Sequence, residues 1–311
     1  MKRAAIILGL LSLLSVSSLY SQQDPQYTQY MYNMHIVNPA YAGSQGTLNI
    51  GLLHRTQWVG LDGSPETTVF TINAPIKKKV GMGVSVFADR IGPVKEQNLF
   101  VDFSYTIKTS DYGNLAFGLK GGLSFIDANL VDLDLGQDIN HGVIDDDLFM
   151  ENINDSYANF GTGVFYYTDL FYVGLSMPNM LNQLHYKRKS GIISEASEKM
   201  HYFLTSGYVF ELSDKLKLKP SIMAKGVIGA PLSIDLSGNM LLNNKLEFGL
   251  SWRVDDSISA LMNIAINPSI RFGYAYDYTT TNLSDFNSGS HEFILLFTIS
   301  NSRAGLSPRF F

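Results

Sequence analysis

Between residues 98 and 108, Leu99, Val101, Phe103, Tyr105 and Ile107 share one face, while Asn98, Asp102, Ser104, Thr106 and Lys108 share the other. Phe100 is the one apolar residue on the polar side. A period of two is the mark of a β-strand, whose side chains alternate between faces. The pattern recurs. Leu115, Phe117, Leu119, Leu123 and Phe125 alternate with Ala116, Gly118, Lys120, Gly122 and Ser124. Leu232, Ile234, Leu236 and Met240 oppose Ser233, Asp235, Ser237 and Asn239, and Leu246, Phe248, Leu250, Trp252 and Val254 oppose Glu247, Gly249, Ser251 and Arg253. Ile270, Phe272, Tyr274, Tyr276 and Tyr278 oppose Arg271, Gly273, Ala275 and Asp277. In KLKLKPSIMAK, residues 215–225, Leu216, Leu218, Ile222 and Ala224 oppose Lys215, Lys217 and Lys219. Strands of about nine to eleven residues match the length a tilted strand needs to cross a bilayer. Charges and glycines at mid-strand distinguish these polar faces from the solvated side of a short sandwich strand.

The alternation predicts fourteen strands, beginning near residues 47, 66, 79, 97, 113, 157, 170, 200, 215, 232, 245, 257, 269 and 290. Short turns are expected at Lys77 and Lys78, 110–113, Thr168 and Asp169, Ser213 and Asp214, Asn243 and Asn244, and Asn267 and Pro268. Longer connections are expected at 59–65, 91–96, 127–155, 179–198, 226–231 and 279–289, with Asp255 and Asp256 a tight exception. Short turns at one end and longer loops at the other, on an even strand count, predict an all-β, antiparallel transmembrane barrel of about 14 strands with both termini on the periplasmic side. Closure is required, because an open edge in lipid leaves unpaired backbone groups. A ring this wide admits water or a plug. Pro220 cannot donate to a ladder, so a bulge or kink is expected there.

The first residues place this barrel. Lys2 and Arg3 precede an apolar run from Ala4 to Leu14 and a small, polar stretch ending at Ser21, which is the layout of a signal peptide cleaved after Ser21. No later run of about 18 apolar residues occurs, which excludes a bundle of membrane helices. Three segments follow: 1–21 signal peptide, 22–46 N-terminal plug or periplasmic segment, 47–311 outer-membrane barrel. Charged residues make up 16% of the chain, against about 25% in an ordinary soluble domain. With 17 Tyr, 19 Phe and 27 Gly, this fits a lipid-facing exterior and a small, polar interior. The net charge of −5 implies no nucleic-acid partner, and the absence of cysteine excludes disulfides and thiolate chemistry.

Candidate chemistry is sparse. His35, His54, His141, His185, His201 and His291 share no metal-ligand spacing, and neither a nucleophile elbow nor a phosphate cradle is present. No catalytic, cofactor-binding or metal site is assigned, and no enzyme activity is expected. The loop 127–155 holds nine acidic residues and no Lys or Arg. It reads either as a calcium-binding or partner-docking loop or as an outward loop solvated by water. Asp102, Lys120, Lys217, Lys219, Asp235, Glu247, Arg253 and Arg271 are expected to face the lumen. They either line a solute path or pair with one another and hold a plug. Residues 22–46 show neither alternation nor a helical stripe, and their tyrosines suit a segment in or near the lumen, closing it from the periplasmic side.

The stretch DPQYTQYMYNMHIVNPAYAGS, straight after the signal peptide, resembles the opening of the PorP/SprF family of type IX secretion system membrane proteins from Bacteroidetes. HRTQWVGLDGSPETTVFTINAPI, GMGVSVFADRIGP, GYAYDYTTTNLSDFNSGSHEFILL and the terminal SPRFF resemble the same family, in order and over nearly the whole chain. The resemblance implies a non-enzymatic barrel integral to the outer membrane and its lipid, working with type IX machinery at its periplasmic face. It implies a partner as well: a secreted surface protein, often a gliding-motility or other adhesin with a C-terminal sorting domain. Some members instead join the core machinery. The alternative is a transport barrel, porin-like or FadL-like, for small or hydrophobic solutes. A lumen sealed by residues 22–46 favours the first, and an unobstructed channel the second.

Overall fold

The computed structural model describes residues 26–131, 152–180, 200–228 and 230–299, together with the backbone of 184–189 and 192–197. Its strands form one antiparallel ring. In chain order they are β1 (Leu48–Thr56), β2 (Glu66–Lys77), β3 (Val80–Ile91), β4 (Val94–Lys108), β5 (Asn114–Ala128), β6 (Ile153–Tyr167) and β7 (Phe171–Met177). A separate hairpin, β8 (Leu184–Lys189) with β9 (Ile192–Ser197), stands apart from the ring. The wall resumes with β10 (His201–Tyr208) and β11 (Phe210–Ser213), then β12 (Leu216–Val227), β13 (Ser233–Leu242), β14 (Leu246–Arg253), β15 (Ser257–Asn267), β16 (Ile270–Thr279) and β17 (Ser290–Ile299). Pairing of β1 with β17 and of β10 with β12 completes the circuit. Because β10 and β11 occupy one position in the wall, the closed ring has 14 strands.

The period-two pattern sets the two faces. Phe103, Phe117, Leu236, Leu250 and Phe272 are exposed on the outside, while Asp102, Ser104, Lys120, Asn239 and Glu247 are buried inside. A continuous outward belt of large apolar side chains around a buried polar interior is stable with lipid outside and is the inverse of a water-soluble domain. The closed ring leaves no lipid-facing edge unpaired, as a bilayer demands. This is an integral barrel of the outer membrane.

The strand starts agree with the alternation to within a residue or two, except at β4 and β6, which begin at Val94 and Ile153. Ile91 pairs with Val94, so the expected loop 91–96 is a two-residue turn at Gly92 and Pro93, with Gly92 at φ 55°. Its strand ends are too polar to show the apolar alternation, and β5 and β6 likewise pair out to Ala128 and Ile153. The expected loop 179–198 contains the hairpin β8–β9. Asn243 and Asn244 both have φ 53°, as the tightest hairpin turn requires.

Pro220 produces no bulge. Gly207 pairs with Ser221 and Phe210 with Leu218, so the register is the same on both sides of it. The proline removes one donor, and the ladder simply lapses between β10 and β11. On its other edge Pro220 pairs with Gly238 without interruption. The nearby register shift falls between Glu211 and Ser213, at the strand end.

Candidate functional site

The inside of the ring is filled by residues 26–47. A turn at Tyr30–Tyr32, a one-turn helix α1 (Met34–Val37) and a second turn at Pro39–Tyr41 follow one another. Asn38 starts the second turn by accepting the Ala40 N–H at 3.0 Å, and Pro39 supplies the fixed φ that suits a first helical position. Thr47 hands over to β1 at the short-turn end of the barrel, while Thr28 meets Arg55, Asp277 and Glu292. Those three lie at the long-loop ends of β1, β16 and β17. The segment therefore runs from the periplasmic end up to the outer half of the lumen, beyond the periplasmic mouth.

Its lower part is wedged into the wall of β3 to β7. A Cβ on Gly118 would lie 2.1 Å from the Ala40 nitrogen, and one on Gly81 would lie 2.0 Å from the Ala42 oxygen. Only glycine admits backbone at that distance. Ser104 donates to the Ala42 carbonyl and Ser176 to the Val37 carbonyl, both at 2.6 Å. Tyr41 meets Phe165 edge-on, with ring centroids 5.3 Å apart.

Its middle and upper parts are held by charged wall residues. Lys120 donates to the His35 carbonyl at 3.3 Å and pairs with Asp102 at 3.2 Å. Burial, reinforced by the Lys120 cation, lowers the His35 pKa to about 3, so the ring is neutral and its Nδ1 accepts from Asn73 at 3.4 Å. The Tyr32 hydroxyl donates to Glu247 and accepts from Asn263 at 2.7 Å. The Tyr32 ring lies near Lys219 and Arg271, about 6 Å from each. Glu292 accepts two consecutive backbone N–H groups, of Thr28 at 2.9 Å and Gln29 at 2.8 Å. Arg55 bridges Glu292 and Asp277 at 3.2 and 2.7 Å, and Thr28 donates to Asp277 at 2.7 Å. Buried acceptors of this kind are stable only when matched in this way.

Of the charges expected in the lumen, Asp102 pairs with Lys120, Asp235 with Arg253 at 2.7 Å, and Glu247 with Arg271 at 3.0 Å. Lys219 is buried beside Tyr32. Lys217 shares the inward face of Lys219 but sits at the short-turn end, where it pairs with Glu211 at 3.4 Å. Arg55 and Glu292 escaped sequence reasoning, and Asp277 appeared only as part of an alternation. In β1 and β17 the inward Leu53 and Ile294 pack in the buried core that includes the plug. Those strands therefore read as apolar on both faces and hide the charges beside them. Most of the acidic loop 127–155, with His141, lies outside the described residues; at its ends Asn152 accepts the N–H of Leu130 and of Val131.

A plugged, fourteen-strand membrane barrel is the setting for the comparison with known proteins. Residues 19–297 match the family described as type IX secretion system membrane protein PorP/SprF. The chain belongs to the PorP/SprF family. Membership ties it to type IX secretion and to the components of that system, and the family and fold are those of a secretion or transport barrel. No functionally curated protein matches it in sequence. Among solved structures, the CymD monoaromatic hydrocarbon channel is similar at 11% identity and TM-score 0.47, over 90% of this PorP/SprF chain and 94% of that one. The Ralstonia pickettii toluene transporter TbuX is similar at 12% identity and TM-score 0.45, over 84% and 91%. The Acinetobacter baumannii outer membrane protein Omp33 is similar at 10% identity and TM-score 0.43, over 82% and 100%.

Proposed function

We propose that this PorP/SprF barrel is a non-enzymatic partner for the secretion or surface anchoring of one specific secreted protein, adhesin-like and bearing a C-terminal sorting domain. The observation that carries the reading is the filled lumen: solute transport needs a path, and residues 27–42 occupy it with buried, hydrogen-bonded side chains. Family membership supplies the secretion system, and a cell-surface adhesin of the kind used in gliding motility is the cargo class in keeping with it. The accompanying organisation is a signal peptide at 1–21 removed after Ser21, a plug at 22–46 and a barrel at 47–311. N-terminal sequencing of the mature protein checks the cleavage.

The deciding experiment deletes the gene and compares cell-surface with intracellular proteomes. Loss of one or a few surface proteins, with general type IX secretion intact, is expected. Retention of every type IX cargo would make this a core-machinery member. An unchanged surface, joined to a lost uptake of small solutes, would return the transport reading.

A further inference from the structure

We propose that the lumen is a peptide-binding site for a compact, turn-forming, uncharged segment rich in tyrosine, asparagine and glutamine. The chain's own residues 27–42 fill it, and a partner polypeptide segment of that chemistry enters by displacing them.

The division of charge is the first argument. Residues 26–47 contain no Asp, Glu, Lys or Arg, so every formal charge at the interface belongs to the wall. Most of the wall charges that touch the segment pair with one another: Arg55 with Asp277 and Glu292, Lys120 with Asp102, Arg253 with Asp235 and Arg271 with Glu247. An occupant can therefore leave or be exchanged without stranding any of these paired ions, the main cost of breaking such contacts. A charged segment would upset that balance; a neutral polar one fits it.

The wall also recognises its occupant as peptide. Glu292 takes two backbone N–H groups, while Ser104, Ser176 and Lys120 donate to three backbone carbonyls. Side-chain pockets add identity: Glu247 and Asn263 read the Tyr32 hydroxyl, and Thr71 donates to Asn33 at 3.2 Å. Main-chain bonds for affinity and side-chain pockets for specificity is the general logic of peptide recognition.

The fit of the resident segment is incomplete. Asn33 Nδ2 and His35 Nε2 are buried without a hydrogen-bond partner, and so are Asn239 Oδ1 and Asn263 Oδ1 on the wall. Unmade bonds of buried polar groups weaken an association, so a better-matched segment competes. The resident segment joins the barrel through the exposed Gly46, where an added Cβ would meet nothing within 4 Å.

The inference rests on the partner reading only for the source of the competing segment. The test needs no partner, so the two fail separately. A protease site is placed at Gly46 of the full chain, the protein is folded, and the plug is then cut free of the barrel. A fluorescent peptide with the sequence of residues 26–44 is added in excess. Uptake by the cut barrel is expected. A Tyr32→Phe peptide should bind about tenfold more weakly, and Glu247→Gln in the barrel should narrow that difference, because a neutral acceptor replaces a charged one while Asn263 still donates to the hydroxyl. No uptake by a cut barrel that still shows heat-modifiable migration would overturn the inference. Equal uptake of a scrambled peptide, or loss of the folded barrel once the plug has gone, would also overturn it.

Discussion

The plug is seated by atoms that a side chain would displace. Gly118 lies inward on β5, and a Cβ there would fall 2.1 Å from the Ala40 backbone nitrogen. Backbone cannot yield as a side-chain tip does, so Gly118→Ala should destabilise the plugged state by about 1–3 kcal/mol, the usual cost of overpacking. The strand itself should tolerate alanine. Single-channel recordings are expected to show larger or more frequent openings than the wild type, with heat-modifiable migration preserved; an unchanged closed channel would contradict the wedge. On the opposite face, Ile222 is 39% exposed between the buried Ser221 and Met223. Ile222→Arg places a cation against lipid near mid-strand and should cost about 2–4 kcal/mol, measurable as a shift in urea-induced unfolding in lipid. Leu218→Arg lies closer to the short-turn end of β12 and should cost less.

At the scale of elements, Pro220 shows how a missing donor differs from an inserted residue. The register from Gly207 opposite Ser221 to Phe210 opposite Leu218 leaves Tyr208 facing Pro220 and Val209 facing Lys219 without entering the ladder to β12. Pro220→Val supplies the absent N–H and should join β10 to β11, adding about 0.5–1.5 kcal/mol. Hydrogen exchange at residues 208–211 should slow, and no change there would mean that the break has another cause. Ladder registers of this kind were only partly legible in the sequence. Where Phe103, Phe117 or Phe248 faced lipid and a polar residue faced the lumen, alternation located the strand and its orientation. It failed in two ways. Beyond the bilayer both faces meet water, so the outer ends of β4 and β6 lost their apolar face and looked like loop. Against the plug, an inward Leu53 or Ile294 gains by burial, so β1 and β17 lost their polar face and concealed Arg55 and Glu292. Period two reports a contrast between two environments, and it vanishes wherever both sides are alike.

For the whole molecule, the question is what holds the lumen shut and when the hold weakens. His35 is fully buried on α1, and its pKa is lowered to about 3 by burial and then by Lys120. In a displaced, solvated plug the same ring titrates near its ordinary value of about 6.5. Between those two values the displaced state binds more protons than the plugged state. The plug's contribution to stability is therefore complete above about pH 6.5 and falls as pH drops through that window, by up to about 1.4 kcal/mol per pH unit. Protonation in place would put a second cation beside Lys120, which already donates to the His35 carbonyl. The intact protein in a planar bilayer is thus expected to be nearly silent at pH 7.5 and to open increasingly from pH 6 to pH 4.5. His35→Gln keeps a polar side chain that cannot take up the proton, and it should flatten that profile while leaving the pH 7.5 conductance low. A large, steady pore at pH 7.5 would refute the plug itself. An acid response that survives His35→Gln would move the switch to the wall carboxylates Asp102, Asp277 and Glu292, whose pairing with Lys120 and Arg55 is the other part of the hold that acid can dissolve.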